Sequence, residues 1–230
     1  MAPSANRALR YLSMKRDPVI TPVGSGLDHL LSAAGLTLLE GTRAKFDDYL
    51  ALILHWNSKL NLTSIRDPEE ILRRHFVESI ACACYLPEGI GSLLDFGSGG
   101  GFPGIPIALC RPEVTVTLAE SQTKKAAFLH EAVRVLALDA TIFAGRAEQL
   151  RQKFSCVTLR AVDRMEQAIA GASSLVENGG RLAVMTTRPQ VDLIQKWAGS
   201  EFTWIEPWAL PGSEQRVLTV GVKGDPLALM

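Results

Sequence analysis

Four cysteines are all that the 230-residue chain contains, and Cys82, Cys84, Cys110 and Cys156 offer one C-x-C with no second pair spaced to close a tetrahedral zinc site. Reduced core thiols are expected, not a disulfide framework. His29, His55, His75 and His130 are equally scattered, with no H-x-x-x-H pair, so no metal is expected. No apolar run approaches the roughly 20 residues that cross a bilayer, and the start lacks the charged-then-apolar pattern of a secretory signal. Neither membrane insertion nor secretion is expected; a cytoplasmic location is. Net charge is missing as well, because 24 basic side chains meet 24 acidic ones. The molecule as a whole therefore exerts no strong pull on nucleic acid, and such a partner would have to be met by a local basic face. There is no internal repeat and no low-complexity segment.

Hydrophobic residues make up 47% of the chain, enough for one good core and one domain with a small appendage. Its most informative stretch is 92–104, Ser-Leu-Leu-Asp-Phe-Gly-Ser-Gly-Gly-Gly-Phe-Pro-Gly, an apolar strand that runs through an acid into Gly97, Gly99, Gly100, Gly101 and Gly104. Only glycine takes positive φ without steric cost and lets a ligand touch bare backbone, so this is the loop of a nucleotide cofactor. Two templates fit the letters. Gly99, Gly101 and Gly104 satisfy the G-x-G-x-x-G of a dinucleotide site, with a pyrophosphate at the helix N-terminus. Asp95, Gly97, Gly99 and Gly101 satisfy D-x-G-x-G-x-G, which resembles a methyltransferase loop for S-adenosyl-L-methionine, the acid facing the methionine half.

Residues 1–24, with Pro3, Pro18 and Pro22 and the acid-free cations Arg7, Arg10, Lys15 and Arg16, read as a flexible basic arm. Residues 25–90 read as a helical cap. Phe46, Tyr49, Leu50, Ile53, Trp56 and Leu60 recur at three- and four-residue steps, the stripe of an amphipathic helix. A second helix opens at Asp67-Pro68-Glu69-Glu70, with Asp67 as the cap, Pro68 at the first helical position and Glu70 closing a capping box. From residue 91 strands alternate with helices as in a doubly wound sheet, with strands at 92–96, 114–119, 140–144, 156–159 and 181–186. A Glu177-Asn178-Gly179-Gly180 turn precedes the fifth. Strands at 202–206 and 216–222 have no long helix between them and should pair antiparallel. An α/β sheet of five parallel strands plus an antiparallel pair fits a methyltransferase better than a dinucleotide fold.

Glu120 ends the second strand, where an acid can accept from both ribose hydroxyls of a nucleoside. Gly145-Arg146-Ala147-Glu148 follows the third strand over the same edge, and Arg160 closes the fourth. Arg66, Arg73, Arg74 and His75 cluster in one short stretch and leave room for a local basic face, to which the arm adds four more cations.

Asn61-Leu62-Thr63-Ser64-Ile65-Arg66-Asp67-Pro68, then Arg74-His75 and Ser79, is similar to the N-terminal signature of the bacterial 16S ribosomal RNA guanine-N7 methyltransferases, the RsmG or GidB family. The loop from Asp95 to Pro106, with Phe102, Pro103 and Pro106, resembles that family's cofactor loop. Glu120-Ser121, Lys124-Lys125, Phe128-Leu129, Gly145 to Glu148, Arg160-Ala161 and Arg216 continue the likeness over roughly 40–222. The resemblance implies a Rossmann-like class I methyltransferase domain over 91–230 and S-adenosyl-L-methionine as cofactor. It implies 16S rRNA or the small subunit as partner, and a monomer is expected. It places Gly97, Phe102, Ala147, Glu148 and Arg160 in the cofactor site, to which Asp95, Gly99, Gly101 and Glu120 are added from the motif reading. Arg66, Arg73, Arg74, His75 and Arg188 are expected to face RNA. No general base is expected. Two departures stand out: Glu78 where the family usually has Asp, and Met185-Thr186-Thr187-Arg188 where it often carries Lys-Gly, with Arg188 the candidate replacement for the lysine.

Overall fold

The structure is a computed structural model that describes residues 23–224. The cations Arg7, Arg10, Lys15 and Arg16 lie outside the described residues. The first helix among the described residues begins at Val23, so the last two residues of the expected arm are already helical.

Eight strands form one sheet: β1 Ser92–Phe96, β2 Thr115–Ala119, β3 Ala140–Phe143, β4 Phe154–Arg160, β5 Val176–Thr187, β6 Phe202–Trp204, β7 Trp208–Ala209 and β8 Arg216–Lys223. Their order is β3-β2-β1-β4-β5-β8-β6, with β7 also on β8. The first five are parallel. β8 enters between β5 and β6 antiparallel to both, so β6 runs in the direction of the first five. That topology demands a crossover between β5 and β6, and it is made by the eight-residue helix Val191–Ala198, which the sequence pattern did not predict. The turn expected at 177–180 is built into β5. Phe154 faces Val176 and Cys156 faces Arg181, so the extra residues bulge out around Gly179 at φ 78°.

The helices are α1 Val23–Ala33, α2 Thr42–Asn57, a rod α3 over 68–85, α4 Gly104–Cys110, α5 Thr123–Val135, α6 Met165–Leu175 and α7 Val191–Ala198. Strand alternation decides the layers. Leu93, Val116, Leu118 and Cys156 point to one face, where α1 to α5 supply Leu27, Phe46, Tyr49, Phe76, Ile80, Ile105 and Phe128 to a continuous core. Leu94, Phe96, Val157 and Leu159 point to the other, under α6 and α7. The helices of the cap region thus share their core with the sheet.

Rod α3 consists of α-helical Pro68–Ile71, a π-turn Leu72–Val77 and α-helical Glu78–Tyr85. Asp67 caps it as expected, its carboxylate accepting from the Glu70 amide at 2.8 Å. The reciprocal half of the box is replaced: the Glu70 carboxylate turns to Arg73 at 3.0 Å and Arg74 at 3.7 Å. The π-turn holds His75, and such single wide turns recur at functional sites.

Candidate active site

The glycine loop crosses the carboxyl edge of the sheet, the edge where open α/β sheets take their ligands. Backbone bonds fix its path. Gly97 N and Ser98 N both donate to the Ala119 carbonyl at the end of β2, at 3.0 and 2.9 Å, and Gly101 N donates to Ser98 O at 2.7 Å. Gly97, Gly99 and Gly101 have φ of 74°, 56° and 87°, which side-chain-bearing residues rarely adopt. At Gly104 the constraint is space: a Cβ would stand 2.4 Å from Leu118 and 2.7 Å from Asp95 Oδ2.

Asp95 lies beneath this loop and is absent from the cavity wall. Its Oδ2 accepts from Gly104 N at 3.2 Å and its Oδ1 from Thr158 Oγ1 at 3.0 Å. Both carboxylate oxygens thus brace the loop from below. Burial pushes the Asp95 carboxyl up to about 6, against the opposing pull of its hydrogen bonds. Gly101 likewise stays out of the wall, packed against Ile105 and Tyr49.

A cavity of about 700 Å³ opens above the edge, within the roughly 300–1,000 Å³ typical of small-molecule sites. It runs from Ala147 and Glu148 after β3, past Glu120 after β2 and the bare backbone of Gly97 and Gly99, to the Arg160–Arg164 loop after β4. Thr63 and His75 border it from the helical side. Glu120 is buried at the rim, its Oε2 accepting from Gly99 N at 2.9 Å and its Oε1 from Gln122 N at 2.7 Å. Each oxygen keeps a lone pair for a further donor. Glu148 sits beside Arg146 at 3.2 Å. In the loop after β4, Ala161 and Arg164 hold φ of 48° and 51°, strained values for residues with a Cβ, and Val162 folds over Gly97.

The helical side of the cavity carries a polar cluster. Glu78, 1% exposed, meets Arg160 Nη2 at 3.2 Å and Arg74 Nε at 3.4 Å, and also accepts from Arg216 Nε. Arg160 Nη2 donates in addition to the Arg74 carbonyl at 2.5 Å, while Arg160 Nη1 is buried with no acceptor among the described residues. His75 stacks on Phe102 with ring centroids 4.9 Å apart and meets Thr63 Oγ1 through Nε2 at 2.7 Å; its Nδ1 is buried without a partner among the described residues. Burial, then the charges of Arg160 and Arg74, push the His75 imidazole down to about 3.

This sorts the residues expected to face RNA. His75 lines the cavity, and burial with the neighbouring arginines favours its neutral imidazole. Arg66 ties down its own loop, donating to Asn57 O at 2.5 Å and Asn61 Oδ1 at 2.6 Å. Arg73 is half-exposed and paired with Glu69 at 2.7 Å and Glu70. Arg74 sits between Glu70 and Glu78. Arg188 is exposed past the end of β5, its Nε donating to Glu214 O at 3.3 Å. Pattern reading missed Glu78 as the partner of three arginines; its only local signal was the four-residue step from Arg74. It also missed Tyr49 and Thr158 as braces of the loop.

A glycine loop between β1 and α4, an acid ending β2 and a β8 inserted antiparallel define the Rossmann-like fold of class I S-adenosylmethionine-dependent methyltransferases. An S-adenosylmethionine-dependent methyltransferase from Aquifex aeolicus superposes with a TM-score of 0.54 at 14% identity, covering 68% of this chain and 94% of that one. Residues 42–206 match the family of rRNA small subunit methyltransferase G, GidB. The chain is 38% identical over 218 residues to ribosomal RNA small subunit methyltransferase G of Roseiflexus castenholzii, covering 87% of this chain and 92% of the relative. It is 40% identical over 181 residues to the protein of that name in Xanthomonas axonopodis pv. citri, covering 76% and 84%. The chain belongs to the rRNA small subunit methyltransferase G family.

Proposed function

We propose that the chain transfers a methyl group from S-adenosyl-L-methionine to N7 of a guanine in small-subunit ribosomal RNA. The observation that carries this reading is the cavity over the braced glycine loop, in a chain of this family. The wall chemistry suits the cofactor: Gly97 and Gly99 offer bare backbone, Glu120 offers acceptors to two ribose hydroxyls, and Ala147 with Glu148 borders the space for adenine. Bound there, the cofactor supplies a methyl carried by a positively charged sulfur.

Guanine N7 holds an in-plane lone pair and no proton, so the chain needs no base. The N7–carbon bond forms as the carbon–sulfur bond breaks, its electron pair staying on sulfur and the positive charge passing to the base. What the residues contribute is alignment and exclusion of water. The glycine loop and Glu120 fix one partner. Thr63, His75 and the loop from Arg160 to Arg164 border the space for the other, the base displaced from its stack into the pocket. Half-exposed Arg73 and exposed Arg188 are the cations assigned to phosphates in this reading.

The decisive experiment maps N7-methylguanine on 16S rRNA from cells with and without the gene. The mark is expected to vanish on deletion and to return with the wild-type gene; a mark that survives deletion refutes the assignment.

A further inference from the structure

Among the described residues four lysines and arginines border the cavity, and two of them are engaged: Arg146 pairs with Glu148 and Arg160 with Glu78. The side chains of Lys125, half-buried in the first turn of α5, and Arg164, exposed where α6 begins, form no ion pair or hydrogen bond with any described residue. Arg164 is also strained. It sits at φ 51° and ψ 57°, the left-handed region in which a Cβ is crowded and glycine is not. Its carbonyl accepts from Ala168 N at 3.0 Å, which roots the residue at the start of α6. Asp163 before it and Glu166 after it are exposed as well, yet neither pairs with it. The chain thus keeps an unpaired guanidinium on the cavity wall at a position that glycine would fill without strain. Strained residues of this kind collect at ligand sites.

Resting on the reading above, we propose that Arg164 is an RNA-binding residue that grips a backbone phosphate next to the target guanine. A base displaced from its stack into the cavity leaves its flanking phosphates at the mouth, and Arg164 combines exposure to solvent with a place on the cavity wall. Its planar guanidinium presents paired N–H groups that match two phosphate oxygens, so the contact fixes direction as well as distance. Arg66, Arg73 and Arg188 differ. Each already donates to a carbonyl or an acid, bonds that an arriving phosphate must displace or share. Arg164 has no such bond to give up. Because α6 carries Ala168 and Ile169 into the core, the residue gives the RNA a fixed point on a packed helix beside the pocket. The competing anion is the cofactor's own carboxylate, and the test separates the two.

Unmethylated small subunits from cells lacking the gene are the substrate. Their binding and the kcat/KM of methyl transfer are measured against salt, calorimetry gives the affinity for S-adenosylmethionine, and thermal unfolding gives Tm. Arg164→Gly removes guanidinium and strain together. Its Tm is expected to rise by about 2–4 °C while subunit affinity and kcat/KM at low salt fall by about three- to tenfold. The slope of log affinity against log salt should shrink by about one phosphate contact, with cofactor affinity little changed. Arg164→Asn, which also accepts the left-handed region, should lose as much, so that a loosened glycine loop is not the cause. Arg164→Lys keeps the charge and loses the planar fork; the salt slope should stay and the loss should be smaller. Ala137→Gly is the control, because its φ of 47° lies before β3, at the opposite edge of the sheet. It should gain stability with subunit affinity unchanged. Unchanged affinity and slope in Arg164→Gly overturn the proposal. So does an equal loss in Ala137→Gly, which ties the effect to strain. A tenfold or greater loss of cofactor affinity with the salt slope intact also overturns it and assigns Arg164 to the cofactor carboxylate. A wild type that binds subunits but methylates no guanine refutes the underlying activity, while the binding slopes still decide the role of Arg164.

Discussion

The Tyr49 hydroxyl, buried in the helix that covers the sheet, donates to the Gly100 carbonyl at 2.5 Å, tying a residue of the helical region to the cofactor loop. The same ring lies 5.1 Å from Phe102, which in turn stacks on His75. Loop, helix α2 and rod α3 are therefore joined by one run of contacts. Tyr49→Phe keeps the rings and removes the bond, leaving a buried carbonyl unpaired at a cost of about 1–3 kcal/mol. Chemical denaturation should show that loss, and calorimetry should show cofactor affinity weakened several-fold.

Glu120 braces Gly99 and is the proposed ribose acceptor. Glu120→Gln keeps the volume but turns one acceptor into a donor aimed at an amide or a hydroxyl. Cofactor affinity is expected to fall by about tenfold or more, as for loss of a charge-assisted hydrogen bond, with the fold retained in circular dichroism. Unaltered affinity would remove Glu120 from the site.

His75 is neutral in the fold, its pKa pushed to about 3 from an ordinary 6.5. A lowered folded value means that the unfolded chain takes up the proton first. The contribution is complete above pH 6.5 and is lost as pH falls toward 3. His75→Phe preserves the stack on Phe102 and cannot be protonated. Denaturation curves at pH 7 and pH 4.5 should show a smaller acid-induced loss for the variant than for the wild type.

Asp95 has the opposite sign. Its folded value of about 6 lies above the ordinary 3.8, so the folded state holds the proton over an interval where the unfolded state has released it. This group's contribution therefore falls as pH rises from about 4 to 6 and is least favourable above that. Asp95→Asn removes the titration. The stability difference, wild type minus variant, should decline across pH 4 to 6; a flat difference would show that Asp95 titrates normally.

Arg73 is half-exposed and shared by Glu69 and Glu70, pairs that contribute about 0–1 kcal/mol. Arg73→Ala should leave stability nearly unchanged. If Arg73 exchanges these acids for a phosphate, RNA affinity should weaken and the slope of log affinity against log salt should shrink by about one contact. An unchanged slope would take Arg73 off the RNA path.

Local features were legible in the chain itself. Positive-φ glycines, the Asp67 cap and the strand–helix alternation follow from steric rules and periodicities that act within a few residues, and they sufficed for the sheet and the loop; the family came from the resemblance carried by the motifs at 61–79 and 95–106. Helix α7 was missed because the need for it is topological: it exists to carry the chain across β8. The sequence likewise placed Glu120, Ala147 and Arg160 at strand ends, since period-two alternation and the carboxyl-edge rule carry that far. It could not say where their polar atoms point. Glu78 collects arginines from 4, 82 and 138 residues away, Asp95 turns under the loop, and His75 loses its charge to burial and neighbouring cations. Hydrogen-bond direction and desolvation depend on groups brought together only by folding, so the division between residues that brace the site and residues left with a free donor belongs to the tertiary structure alone.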